Sequence, residues 1–123
     1  MRVMSIPERR KGPRFNVHQL VHFVSKQQRE ECRSLDISLE GVKIETGREI
    51  RPGDLLDLTL LVGESMVKAK GRVVYVEELL DGMYQAGVVF QDISPQARAS
   101  LLSYLSDIMT HGAERRGILK KME

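Results

Sequence analysis

Six stretches rich in Val, Ile, Leu and Thr follow one another through the middle of the chain, and the connections between them are mostly of hairpin length. That spacing is the strongest constraint on the fold. Parallel strands need crossover connections of a dozen or more residues, for which there is no room, so the strands must pair antiparallel. The stretches run over Phe15 to Ser25, Glu31 to Ile37, Val42 to Thr46, the segment after Asp54 that holds Leu56 and Val62, Met66 to Leu79, and Met83 to Gln91. Turn residues punctuate them at Lys26-Gln27-Gln28-Arg29, Arg51-Pro52-Gly53-Asp54, Gly63-Glu64-Ser65 and Asp81-Gly82. Six such strands form a sandwich or a barrel, and a barrel leaves no exposed edge. The expected fold is mainly β: a six-stranded antiparallel β-barrel with a C-terminal α-helix.

Alternation assigns the inward faces. Leu56, Leu58, Leu60 and Val62 share one side of their strand; Val67, Ala69, Val73 and Tyr75 share one side of the next; Tyr84, Ala86, Val88 and Phe90 share one side of the last. Gly41 is expected to supply a positive φ in the turn after Ser38, and Gly71 to mark a bend or close approach. Ser94-Pro95 then reads as an N-cap followed by proline at the first helical position. Ala97, Leu101, Leu102, Leu105, Ile108 and Met109 recur at helical spacing, and Gly112 is the expected end of that helix. The division is a flexible arm over 1–8, one domain over 9–111, and a basic tail over 112–123.

Composition is that of an ordinary globular domain, with 41% hydrophobic and 29% charged residues. No apolar run approaches the roughly 20 residues that span a bilayer, and the basic start lacks the apolar stretch of a secretion signal. The single Cys32 forbids an internal disulfide, which fits a reducing cytoplasm. The net charge of +2 is unevenly placed. Arg2, Arg9, Arg10, Lys11 and Arg14 stand against only Glu8 before the first strand, so the body of the chain is slightly acidic. This suggests a local anion site, not a broad nucleic-acid face. With no Trp, three Tyr and three Phe, there is also little to stack on single-stranded nucleic acid.

Two segments carry chemistry. In Arg10-Lys11-Gly12-Pro13-Arg14, two arginines four apart enclose glycine and proline, which forbid a regular helix and make a shaped loop. In Asp36-Ile37-Ser38-Leu39-Glu40-Gly41, an acid, a hydroxyl and a glycine fall at a strand end and turn. Taken alone, the first reads equally as a solvated arm and the second as a turn cap.

Together and in this order they resemble the RxxxR and (D/N)xSxxG motifs of the PilZ family, over roughly residues 8 to 108. The resemblance implies a six-stranded barrel that binds the second messenger cyclic di-GMP, with the arginine arm folding over the ligand. The implied ligand contacts are Arg9, Arg10, Arg14, Asp36, Ser38 and Gly41. Guanine offers O6 and N7 to a guanidinium fork, while its N1 and N2 donors suit a carboxylate such as Asp36. Ser38 suits a phosphate or a base amine, and Gly41 lets the backbone approach. Arg9, just before the motif, favours binding of a stacked pair of nucleotides.

Such a chain is expected to be a bacterial cytoplasmic receptor, not an enzyme, that changes conformation on binding and signals through a separate protein effector, with a homodimer possible. The alternative is a PilZ-like protein-interaction adaptor that ignores nucleotide. No cofactor or metal is expected. His18 and His22, four apart in a strand, lie about 13 Å from each other, too far to chelate. Cys32 has no catalytic partner, and no phosphate-binding G-x-x-x-x-G-K run exists.

Overall fold

The computed structural model describes the backbone of residues 2–5 and 13–122 and the side chains of residues 13–110. In chain order the elements are β1 (Arg2–Ser5), β2 (Leu20–Ser25), β3 (Gln28–Ile37), β4 (Gly41–Thr46), β5 (Leu55–Val62), β6 (Ser65–Glu78), β7 (Tyr84–Ile93) and α1 (Pro95–Met122). The strand order is β1-β6-β5-β2-β3-β4-β7, and β7 pairs back onto β6, so β2 to β7 close into a six-strand antiparallel barrel. The 14-residue β6 makes closure possible. It pairs with β5 over Ser65 to Arg72 and with β7 over Ala69 to Glu78.

Where β6 outruns β5, its far end still carries backbone groups that need partners. Arg2–Ser5 supplies them, pairing antiparallel with Tyr75 to Glu78. The sequence reading assigned this segment only to an arm, because four residues without a turn signal before them do not announce a strand.

Alternation fills the interior as expected along most strands. Val21, Phe23, Ile44, Leu60, Val67, Val73, Ala86 and Val88 are fully buried. Each large apolar side chain removed from water contributes roughly 1.5–3 kcal/mol. The helix covers the barrel with Leu101 and Leu105, while Ala97, Tyr104 and Ile108 pack beside them. Its start is capped as expected: the Ala97 amide donates to Ser94 Oγ at 3.0 Å, and the Arg98 amide to the Ser94 carbonyl at 2.9 Å.

Four local expectations are corrected. Regular pairing of the first barrel strand begins at Leu20, not Phe15, although Phe15 and Gln19 still bond to β3. The hairpin turn between β2 and β3 is Lys26-Gln27, both residues at positive φ (52° and 65°), so β3 begins at Gln28, three residues before the expected Glu31. Side chains other than Gly, Asn and Asp rarely take that conformation, which is why the turn is not visible in sequence. Gly41 does not have a positive φ; it is a strand residue of β4. And α1 passes through Gly112 to Met122. A helical glycine costs about 1 kcal/mol, and the helix formers that follow it, including Ala113, Glu114, Arg115 and Arg116, offset that cost.

Candidate functional site

Two β-bulges aim the site. In the β3–β4 ladder, Ser34 faces Ile44 but Asp36 faces Lys43, so Leu35 is the extra residue. Ser34 and Ile44 both point into the barrel and are fully buried. Without the bulge, strict alternation would send Asp36 inward as well. The extra residue reverses the parity: Ile37 enters the core, fully buried opposite Val42, and Asp36 turns to the outer face. A second bulge lies between Val73 and Tyr75 in the β6–β7 ladder. It buries Val76 and turns Tyr75 out of the core face where alternation had placed it, which corrects the sequence expectation.

The end of the arginine segment is pinned to the same place. Phe15 and Ile37 exchange two backbone hydrogen bonds of 2.9 Å, an isolated bridge on the open edge of β3 beyond β2. Farther on, the Ser34 amide donates to the Gln19 carbonyl, the Gln19 amide donates to Ser34 Oγ, and that hydroxyl donates to the Val17 carbonyl. Arg14 and Asp36 precede the two residues of the Phe15–Ile37 bridge, and their side chains meet. Arg14 Nε donates to Oδ1 at 3.1 Å, and Nη2 donates to Oδ1 at 2.9 Å and Oδ2 at 2.7 Å.

Burial by itself would lower the Arg14 pKa. The hydrogen bonds and charge of Asp36 outweigh that, with a smaller contribution from Tyr75, and the guanidinium stands above its ordinary value. Asp36 is 12% exposed and Arg14 37%, so the pair lies at the surface with the carboxylate as its sheltered member. The three bonds to Asp36 engage Nε and Nη2 of Arg14.

Ser38 and Gly41 shape the adjoining loop. Ser38 Oγ accepts from the Glu40 and Gly41 amides, each at 3.2 Å, and the Ser38 amide donates to the Gly41 carbonyl at 2.9 Å. The hydroxyl, 2% exposed, thus satisfies backbone groups that the tight turn leaves unpaired. Gly41 is required for a reason other than φ: a Cβ there would stand 2.1 Å from the Val88 carbonyl oxygen of β7. Arg98 of α1 donates to the Leu39 carbonyl at 3.4 Å and ties the loop to the helix.

The structure therefore brings together Arg14, Asp36, Ser38 and Gly41. Arg9 and Arg10 lie outside the described residues. Tyr75, beside Arg14, was missed, because only a bulge takes it from the core to the site and a bulge leaves no mark in the hydrophobic pattern.

A family model described as the PilZ domain matches residues 8–107. The chain belongs to the PilZ domain family. Solved structures share the fold. The MrkH–c-di-GMP complex of K. pneumonia is 20% identical with a TM-score of 0.74, covering 89% of this chain and 56% of MrkH. The PilZ domain of YcgR from Escherichia coli, solved with c-di-GMP, is 12% identical with a TM-score of 0.71, covering 89% of this chain and 98% of that one. The Bacillus subtilis inhibitor of motility MotI (DgrA) is 17% identical with a TM-score of 0.67, covering 80% of this chain and 50% of its own. The chain spans about half the length of MotI and of MrkH. At these identities the likeness establishes the PilZ fold alone. No curated protein matches the chain.

Other candidate chemistry is weak. Burial pushes the Cys32 thiol up to about 12, with Glu30 and Glu31 adding to the effect, so at neutral pH it is not a nucleophile. Among the described residues no three His, Cys, Asp or Glu side chains cluster to hold a metal, and no helix is long and apolar enough to cross a membrane.

Proposed function

We propose that this PilZ chain is a non-catalytic cyclic di-GMP receptor of the bacterial cytoplasm, in which the Arg10 to Arg14 segment closes over the nucleotide. The observation that carries this reading is the meeting of Arg14 and Asp36 at one strand end, 22 residues apart in sequence. Guanine needs both partners: a cationic fork for O6 and N7, and a carboxylate for N1 and N2. Arg14 can keep Asp36 on its Nε and Nη2 side while the flat face of its guanidinium lies against a base. The two phosphates of the ligand carry two negative charges, which Arg9, Arg10 and Arg14 complement. Tyr75 adds a ring beside Arg14 against which a base can lie. Fixing the arm on the barrel gives nucleotide binding a means of changing the surface offered to a separate protein effector.

The mutual satisfaction of Arg14 and Asp36, with the Ser38 hydroxyl committed to its turn, favours a second reading. In it the motifs only hold the arm on the barrel, and the protein is an adaptor that ignores nucleotide. Calorimetric titration with cyclic di-GMP, cyclic di-AMP, GTP and a short oligonucleotide decides between them. The receptor reading expects cyclic di-GMP alone to bind tightly, and the binding to be lost in Arg14→Ala and Asp36→Ala. No heat with cyclic di-GMP, or binding that both substitutions leave untouched, would sink it.

A further inference from the structure

The bulges that aim Asp36 and Tyr75 outward also place them at the two ends of one line of residues. Asp36 of β3 faces Lys43 of β4, Lys43 faces Gly87 of β7, and Gly87 faces Tyr75 of β6. Lys43 and Gly87 share the outer side of the barrel with them, because their neighbours Val42, Ile44, Ala86 and Val88 are fully buried. Adjacent strands lie about 4.8 Å apart, so the line from Asp36 to Tyr75 measures roughly 14 Å. Gly87 has no side chain, which leaves a low floor between the Lys43 stem and the Tyr75 ring.

Charge along this line is unbalanced. The Asp36 carboxylate is committed to Arg14 by three hydrogen bonds, and Tyr75 at the far end bears on the same guanidinium. Arg14 therefore lies over the line, close to Lys43. Glu45, the next outward residue of β4, accepts from Gln85 Nε2 at 3.4 Å. Lys43 is half-buried and makes no ion pair or hydrogen bond among the described residues. Two cations thus stand over one carboxylate, an arrangement that repels itself until an anion enters. A cyclic dinucleotide has its parts in the matching order, with two phosphates in the ring between its two bases.

We propose that Lys43 is a phosphate-binding residue of the nucleotide site. One base lies at Asp36 and Arg14, the other against Tyr75, and the sugar-phosphate ring between them crosses Gly87 and sets a phosphate against the Lys43 ammonium. The inference rests on the receptor reading above and adds to it a residue outside both motifs. An ammonium suits this position. Phosphate oxygens present charge in several directions, and a compact point charge on a flexible stem meets them without the two-pronged geometry that a guanine edge demands. Lys43 then contributes affinity through its charge, while Asp36 contributes the choice of base.

Calorimetry with cyclic di-GMP on the full chain, at low and at high salt, tests this. Lys43→Gln is expected to weaken binding by about tenfold, the contribution of one hydrogen bond between charged groups, and Lys43→Glu by more. Lys43→Arg keeps the charge and should stay within about threefold of the parent. Because the contact is an ion pair at the barrel surface, added salt should weaken the parent's binding more steeply than that of Lys43→Gln. The unfolding midpoint without nucleotide should be the same in every variant. If the parent binds and Lys43→Gln binds equally well, the inference is overturned while the receptor reading stands. A loss that Lys43→Arg does not recover, or that leaves the salt dependence unchanged, overturns it too. If the parent itself does not bind, both readings fall together.

Discussion

At Arg14 the shape of the cation matters more than its charge, because three hydrogen bonds from Nε and Nη2 commit one edge of the guanidinium to a single carboxylate. An ammonium group keeps the charge but has neither the fork nor the flat face. Arg14→Lys is therefore expected to weaken cyclic di-GMP binding by about tenfold or more in calorimetry, with the unfolding midpoint little changed, since a half-exposed pair contributes modestly to stability. Cys32 offers a residue test of a different kind. Its folded thiol titrates near 12 against 9.0 ordinarily, so the unfolded chain loses its proton first. The stabilising effect is whole below pH 9 and is lost as pH rises toward 12. Denaturation midpoints should fall across that window more steeply in the parent protein than in Cys32→Ala. The order of the two motifs brought Arg14 and Asp36 into one neighbourhood, but their hydrogen-bonded ion pair was not foreseen, because each was read as a contact to ligand. Nor was Tyr75, since its strand pattern pointed inward.

Two elements show where sequence patterning stops being sufficient. Period-two alternation identified the barrel strands, because burial on one face must repeat every second residue. It was blind to the Leu35 and Val73–Tyr75 bulges, which cost one residue each and are set by partner strands far away in sequence. Gly41 was expected to supply a positive φ and does not; the close partner that requires it is the Val88 carbonyl of β7, which no local pattern around Gly41 contains. Gly41→Ala should consequently destabilise the whole barrel, by about 1–3 kcal/mol in urea unfolding, because β4 and β7 must move apart. If it impaired only ligand binding, the packing argument would fail. The β2–β3 turn makes the opposite case. Lys26 and Gln27 both hold positive φ, so Lys26→Asn with Gln27→Gly should stabilise the protein by about 1 kcal/mol, read as a raised urea midpoint.

For the molecule as a whole, the barrel is a rigid frame on which two motifs distant in sequence become neighbours. Closure through β6 fixes the strand end at Asp36, the Phe15–Ile37 bridge fixes the end of the arm, and α1 holds the intervening loop through Arg98. The family and the barrel were readable from strand spacing and motif order. Strand β1 and the length of α1 were not, because both depend on whole-molecule geometry: the overhang of β6 and the continuation of a helix past its glycine. The central claim is that Arg14 and Asp36 act on the nucleotide as one unit. A double-mutant cycle tests it most directly, with cyclic di-GMP affinity measured for the parent, Arg14→Ala, Asp36→Ala and the double variant. A single unit predicts that the second substitution adds little to the first, a coupling of at least about 1 kcal/mol. Losses that simply add, to within about 0.5 kcal/mol, would contradict it.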